Sequence, residues 1–191
     1  MQGAESVVTV HMAASLDGFI ARRDGRVDWM ETSDSFESGV VLGSDDVAAF
    51  LASIDCYVMG SRTYERALAF EAQGSGWAYG DTPIVVLTHR SLPTRGGVEF
   101  YSGDLAHLLD SRLRPRHRSI WCVGGAEVAA ACLRLGLADE IRFSVLPIAI
   151  GDGISFFEGL DRDVALHLVE VKAYRNGIVA LRYGVKRQRT S

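Results

Sequence analysis

Short apolar runs rich in β-branched residues alternate along this chain with segments of helical spacing, and three of the runs stop on glycine or polar residues just before the next element begins. Such alternation confines a chain to a largely parallel sheet with helices on both faces, because parallel neighbours need crossovers long enough to hold a helix. The strand-like runs are Val7 to Met12, Cys56 to Met59, Pro83 to Leu87, Val98 to Tyr101, Ser119 up to the pair Gly124-Gly125, and Ile141 to Ile148, with a short extended return from Ile154 to Phe157. Helical spacing covers Ser44 to about Ser53, with Val47, Phe50, Leu51 and Ile54 on one face, then Tyr64 to Phe70 and Gly103 to Leu113. A last helix follows Gly125 and stops at Gly136. The end of the chain is all β: Leu166 to Ala173 and Ile178 to Val185 flank Asn176-Gly177, a strong hairpin signal that makes one sheet edge antiparallel. At 191 residues, 48% of them hydrophobic, the whole chain 1–191 is expected to form one domain around one core.

A net charge of −4 argues against a dominant role on nucleic acid, which requires a basic surface to replace counterions. No apolar run approaches the ~20 residues of a membrane helix, and the first residues lack the basic-then-apolar layout of a signal peptide, so a cytoplasmic protein is expected. Cys56, Cys122 and Cys132 are odd in number, lack CxxC spacing and sit in apolar segments; they are read as buried thiols. The five histidines form no HxH or HxxxH pair, and no metal site is expected.

Three junctions carry the functional signal. Gly124-Gly125-Ala126-Glu127 leads a strand into a helix, where glycines free the backbone to turn and the exposed N–H groups beside the positive helix end suit a phosphate. Gly60-Ser61-Arg62-Thr63 repeats the arrangement with two hydroxyls and a guanidinium, although it also reads as a capped helix with a solvated arginine. Thr88-His89-Arg90 ends a third strand with groups suited to a further phosphate, or with a plain polar strand end. All three lie at expected carboxyl ends of strands, the rim where open α/β sheets bind ligands, and a dinucleotide explains them together. No GxGxxG follows the first strand, so the site is not a Rossmann site; phosphate-loop and nucleophile-elbow motifs are lacking too.

Ala13-Ala14-Ser15-Leu16-Asp17-Gly18-Phe19-Ile20-Ala21, Val58 to Glu65, Val86-Leu87-Thr88, Val123 to Glu127 and Pro147 to Phe157 together resemble the dihydrofolate reductase-like proteins. The Ser-Leu-Asp-Gly and Gly-Asp-Gly-Ile-Ser-Phe-Phe segments are most similar to the reductase domain of the riboflavin-biosynthesis deaminase-reductase and its standalone relatives. The resemblance spans nearly the whole chain. It implies NADPH as hydride donor, with Ala13 and Ile20 at the nicotinamide, Gly60, Ser61, Arg62 and Thr63 at the phosphates, Thr88, His89 and Arg90 at the adenosine end, and Gly124, Gly125, Ala126 and Glu127 at the pyrophosphate. No HxE followed by PCxxC occurs, so reduction without deamination is expected.

A reductase also needs a proton source. Trp29 followed by Asp34 resembles the spacing of tryptophan and acid in dihydrofolate reductases, making Asp34 the candidate acid or substrate anchor, with helix capping as its other reading. Asp17 could reach a substrate or shape its own turn, and Trp29 could cover the substrate or staple the long loop 13–43. Gly74 to Asp81 replaces the proline-rich, arginine-bearing segment of folate enzymes, so a small heterocycle other than folate is the expected substrate, with Arg22, Arg23 and Arg26 as candidate anion anchors or a solvated loop face. The resemblance further implies a possible homodimer using the C-terminal strands. A nucleotide-binding regulatory or interaction module without catalysis is the alternative.

Overall fold

The computed structural model describes residues 5–186. Its strands are β1 (Val7–Ser15), β2 (Phe19–Ala21), β3 (Cys56–Gly60), β4 (Ile84–Leu87), β5 (Val98–Tyr101), β6 (Ser119–Gly124), β7 (Glu140–Leu146), β8 (Ile154–Ser155), β9 (Leu166–Ala173) and β10 (Val179–Val185). Eight of them form one sheet in the order β5-β4-β3-β6-β1-β7-β10-β9, and β2 pairs with β8 in a small second sheet. The contacts from β5 to β7 are parallel, whereas β10 runs antiparallel to both β7 and β9.

Two core layers flank this sheet because β3 alternates its side chains between them. Tyr57 and Met59 join Tyr64 of α2 (Ser61–Phe70) and, at the margin, Phe50 and Leu51 of α1 (Ser44–Ala52). Cys56 and Val58 point the other way, towards Val128, Ala129, Cys132 and Leu133 of α3 (Ala126–Arg134) and the buried Leu105, Leu108, Leu109 and Leu113. Burying a large aliphatic side chain such as Val58, Leu108 or Leu109 stabilises the fold by roughly 1.5–3 kcal/mol. The crossovers leading outward from β1 to β3 and β4 thus cover one face, and those returning to β6 and β7 cover the other, as right-handed connections running in opposite directions must.

The structure shifts several expected boundaries. β1 runs on to Ser15 because its register with β7 continues to the pair Ser15 and Leu146. β7 stops at Leu146, since Pro147 has no N–H to give a ladder. The segment expected as an α-helix up to Leu113 becomes a π-type helix over His107–Leu113, closed by Arg114 N–H donating to Leu109 O at 2.8 Å. Val47 does not face the sheet; it is exposed, and α1 packs through Phe50 and Leu51 with Ile54 just beyond its end. All three thiols are buried, Cys122 and Cys132 with their Sγ atoms 3.6 Å apart. Asn176-Gly177 makes the expected turn, Gly177 taking φ +80°. Among the described residues no helix is long and apolar enough to cross a membrane.

Candidate functional site

β3 and β6 are neighbours, with Met59 opposite Gly124, so the glycine junctions at their carboxyl ends meet. Gly60 precedes α2 and Gly125 precedes α3, both in extended conformation, and neither helix start is capped by a side chain. The first two N–H groups of each helix are therefore left for an incoming anion, Val128 N–H of α3 already donating to Gly125 O at 3.1 Å, with both positive dipole ends beside them. A Cβ built on Gly60 would lie 3.5 Å from Val128 Cγ2 and 4.0 Å from the Gly125 nitrogen; one built on Gly125 would lie 3.6 Å from Thr63 Oγ1. These glycines hold open a cradle that side chains would fill. Gly124 plays a different part, since its φ of +111° and its approach to Met12 Sδ leave no room for a side chain. The Gly124-Gly125 peptide is cis. Arg62 and Glu127 face each other across the cradle at 3.9 Å, both largely exposed, a pairing worth ~0–1 kcal/mol that an anion can readily displace.

One strand further out, β4 ends at Thr88-His89-Arg90. Arg90 N–H donates to Thr88 Oγ1 at 2.9 Å, and its guanidinium makes two bonds to Glu65 of α2, at 2.6 and 3.0 Å. His89 is exposed. The Glu65 contact is a feature sequence reasoning missed, although Glu65 lies in the motif that ends with it.

On the other side of the cradle β1 carries Ala13 and Ser15. Ala14 points into the α3-side core and Ala13 therefore to the opposite face, while Ile20 of β2 packs against the α3-side core. Asp17 is spoken for: it accepts from Ser15 Oγ at 2.5 Å and from the backbone N–H groups of Ile150 (3.2 Å) and Gly151 (2.7 Å). The Ser15 hydroxyl in particular holds its carboxyl below the usual carboxylate range. It thereby ties the β1–β2 turn to the Gly151-Asp152-Gly153 turn, the turn-shaping half of its two sequence readings.

Trp29 is buried, with an indole N–H that has no partner among the described residues. Asp34 is exposed and stands against Gly177 at the β9–β10 turn, next to Thr32, whose hydroxyl donates to Asn176 O at 3.1 Å. That turn is on the same rim as the cradle but three to four strand spacings away, about 14–19 Å. The structure thus brings Gly60–Thr63 and Gly124–Glu127 together and leaves Asp34 apart from them. Arg22, Arg23 and Arg26 each pair with an aspartate of the loops: Asp28, Asp152 and Asp24.

Comparison with known proteins places this geometry. The RibD C-terminal domain model matches residues 6–180. A Bacillus subtilis protein, the uncharacterized YwjB, is 27% identical over 175 residues, 91% of this chain and 95% of its own. A crystal structure from Shewanella sp. PV-4, provisionally named for riboflavin biosynthesis, superposes with a TM-score of 0.78 at 24% identity, covering 95% of this chain and 99% of that one. The Thermotoga maritima diaminohydroxyphosphoribosylaminopyrimidine deaminase/5-amino-6-(5-phosphoribosylamino)uracil reductase superposes at 0.63 with 15% identity, over 95% of this chain and 57% of that one. The sheet, its helices and its antiparallel edge are those of the dihydrofolate reductase-like reductase fold.

Proposed function

The chain belongs to the RibD C-terminal domain family, and from that premise we propose that it is an NADPH-dependent reductase acting on a C=N or C=O bond of a small heterocycle of the pterin or aminopyrimidine-ribotide class. The observation that carries this reading is the paired, uncapped starts of α2 and α3 meeting at Gly60 and Gly125, a cradle sized by missing Cβ atoms and suited to a pyrophosphate. The Thermotoga neighbour, named for a phosphoribosylaminouracil reductase, supports the substrate class.

When bound, NADPH would supply the hydride. The chain's own residues do the holding. Ser61, Arg62, Thr63, Ala126 and Glu127 receive the pyrophosphate with their amides, and Thr88, His89 and Arg90 meet the adenosine end, where Arg90 must exchange Glu65 for a phosphate. Ala13 near the end of β1 and Ile20 in β2, which point to opposite faces, would border the nicotinamide from two sides, with Trp29 and the Asp17 turn on the substrate side. Asp34, on the same rim, delivers a proton to the reduced nitrogen or oxygen or anchors the substrate, which would have to bridge from the cradle towards β10.

The test is a melting comparison with NADPH and NADH followed by absorbance assays on pterins and aminopyrimidine ribotides. Stabilisation by NADPH together with its oxidation by one of these substrates is the expected result. No stabilisation by either nucleotide would overturn the reading, and binding without turnover on the whole panel would favour the non-catalytic nucleotide-binding module. For the acid, Asp34→Asn is expected to lower kcat and alter its pH profile; if both stayed unchanged, Asp34 would have no part in proton transfer.

A further inference from the structure

The seven residues from Arg112 to Arg118 include four arginines and a histidine in a chain of net charge −4, and the reductase reading uses none of them. Two of these arginines are spent on architecture. Arg114 donates to Ser6 O (2.8 Å) and Leu137 O (2.7 Å) and pairs with Asp110 and Asp139. Arg112 pairs with Glu99 at 2.7 Å and lies over the Tyr101 ring. Arg116 and His117 differ: their side chains have no partner among the described residues.

Both line a cavity of about 290 Å³ at the amino-terminal ends of β3, β4 and β5, the end of the sheet opposite the glycine cradle. Cys56 and Val85 of the strands and Leu113 of the π-type helix line it from the α3-side face, while Ile84 and Val98 border it with their side chains on the other face. Burial pushes the Cys56 thiol up to about 12, so that lining carries no charge at neutral pH. The one acid in the lining, Glu99, is already neutralised by Arg112. A pocket with an apolar patch on one wall and two unpaired basic side chains on another is complementary to an anion attached to an apolar body. Two separate basic groups suit a phosphate monoester, whose charge approaches −2, better than a carboxylate.

We propose that this cleft binds a small organic phosphate, its phosphate between Arg116 and His117 and its flat apolar body against Val85 and Leu113, which share the α3-side face of the sheet. The volume, at the lower end of ligand pockets, suits a molecule the size of phenyl phosphate. Such a ligand would bind independently of the nucleotide at the other end of the sheet.

Phenyl phosphate and inorganic phosphate titrated into the full chain, followed by amide NMR, test this. Saturable shifts are expected at Gly97, Leu113 and His117, with phenyl phosphate at least about tenfold tighter than inorganic phosphate because of its ring. The double variant Arg116→Ala/His117→Ala, with an unchanged melting temperature, should bind at least about tenfold more weakly, while Arg62→Ala at the cradle should bind as before. Shifts confined to Ser61–Thr63 and Ala126–Glu127, equal affinity for the two phosphates, or undiminished binding by the double variant would each overturn the proposal.

Discussion

Exchanging the two adjacent glycines of the cradle separately should split stability from cofactor binding. Gly124 has φ +111°, where an L side chain costs about 1–3 kcal/mol. Its Cβ would also overlap the buried Met12 Sδ, and overpacking of this kind costs about 1–3 kcal/mol more. Gly124→Ala should therefore lose roughly 2–6 kcal/mol, which at about 2–4 °C per kcal/mol lowers Tm by at least about 4 °C. Gly125 has φ −73°, and its added Cβ would lie 3.6 Å from Thr63 Oγ1, an ordinary contact. Gly125→Ala should stay within about 1 kcal/mol of the parent. The methyl would nevertheless occupy the phosphate position, and losing one amide-to-phosphate bond is worth about 1.5–3 kcal/mol, or about 10- to 150-fold in Kd. With NADPH at a hundred times the parent's Kd, ligand stabilisation of about 2.7 kcal/mol should drop to about half or less in Gly125→Ala. Scanning fluorimetry with and without NADPH reads both effects. A full NADPH shift in Gly125→Ala, or a Gly124→Ala variant that melts with the parent, would refute the assignment of these two roles.

Burial, reinforced by Arg142, lowers His11 from 6.5 to about 4. The unfolded chain then binds a proton that the folded one refuses, so stability is whole above about pH 6.5 and falls as pH drops towards 4, by about 3 kcal/mol in all; His11→Gln should flatten urea midpoints over that window. Glu65→Ala frees Arg90 from its carboxylate and should tighten NADPH by up to about fivefold without changing NADH, measured by fluorescence titration, whereas Arg90→Ala should erase the preference. Leu109, fully buried against the sheet, should cost about 2–5 kcal/mol as Leu109→Ala in urea unfolding; a loss below about 1 kcal/mol would contradict its place in the core.

Several elements were legible in the sequence: β9 and even the weaker run of β5 have the expected bounds, and the Asn176-Gly177 turn is where its dipeptide places it. Where neighbours decide, the sequence was mute. β1 is extended by its pairing with β7, and Val47 is exposed because the sheet face beneath α1 is reached through Phe50 and Leu51 instead. The glycine junctions could be read because conformational need writes itself into residue type. Their meeting could not, since it depends on β6 inserting between β3 and β1. Charge pairing was more hidden: the Asp-Gly dipeptide announces that Asp17 shapes its own turn, but nothing local foretells that it also holds the distant Gly151 turn or that Glu65 occupies Arg90.

The cradle's two halves belong to strands that are neighbours in space and far apart along the chain, with β4, β5 and the π-type helix between them. Neither half can offer more than a lone helix start, so no partly folded species that has yet to seat β6 beside β3 can capture a nucleotide. Binding would then act as a latch on that long closure, and amide exchange at both Ser61–Thr63 and Ala126–Glu127 should slow together when a dinucleotide is added.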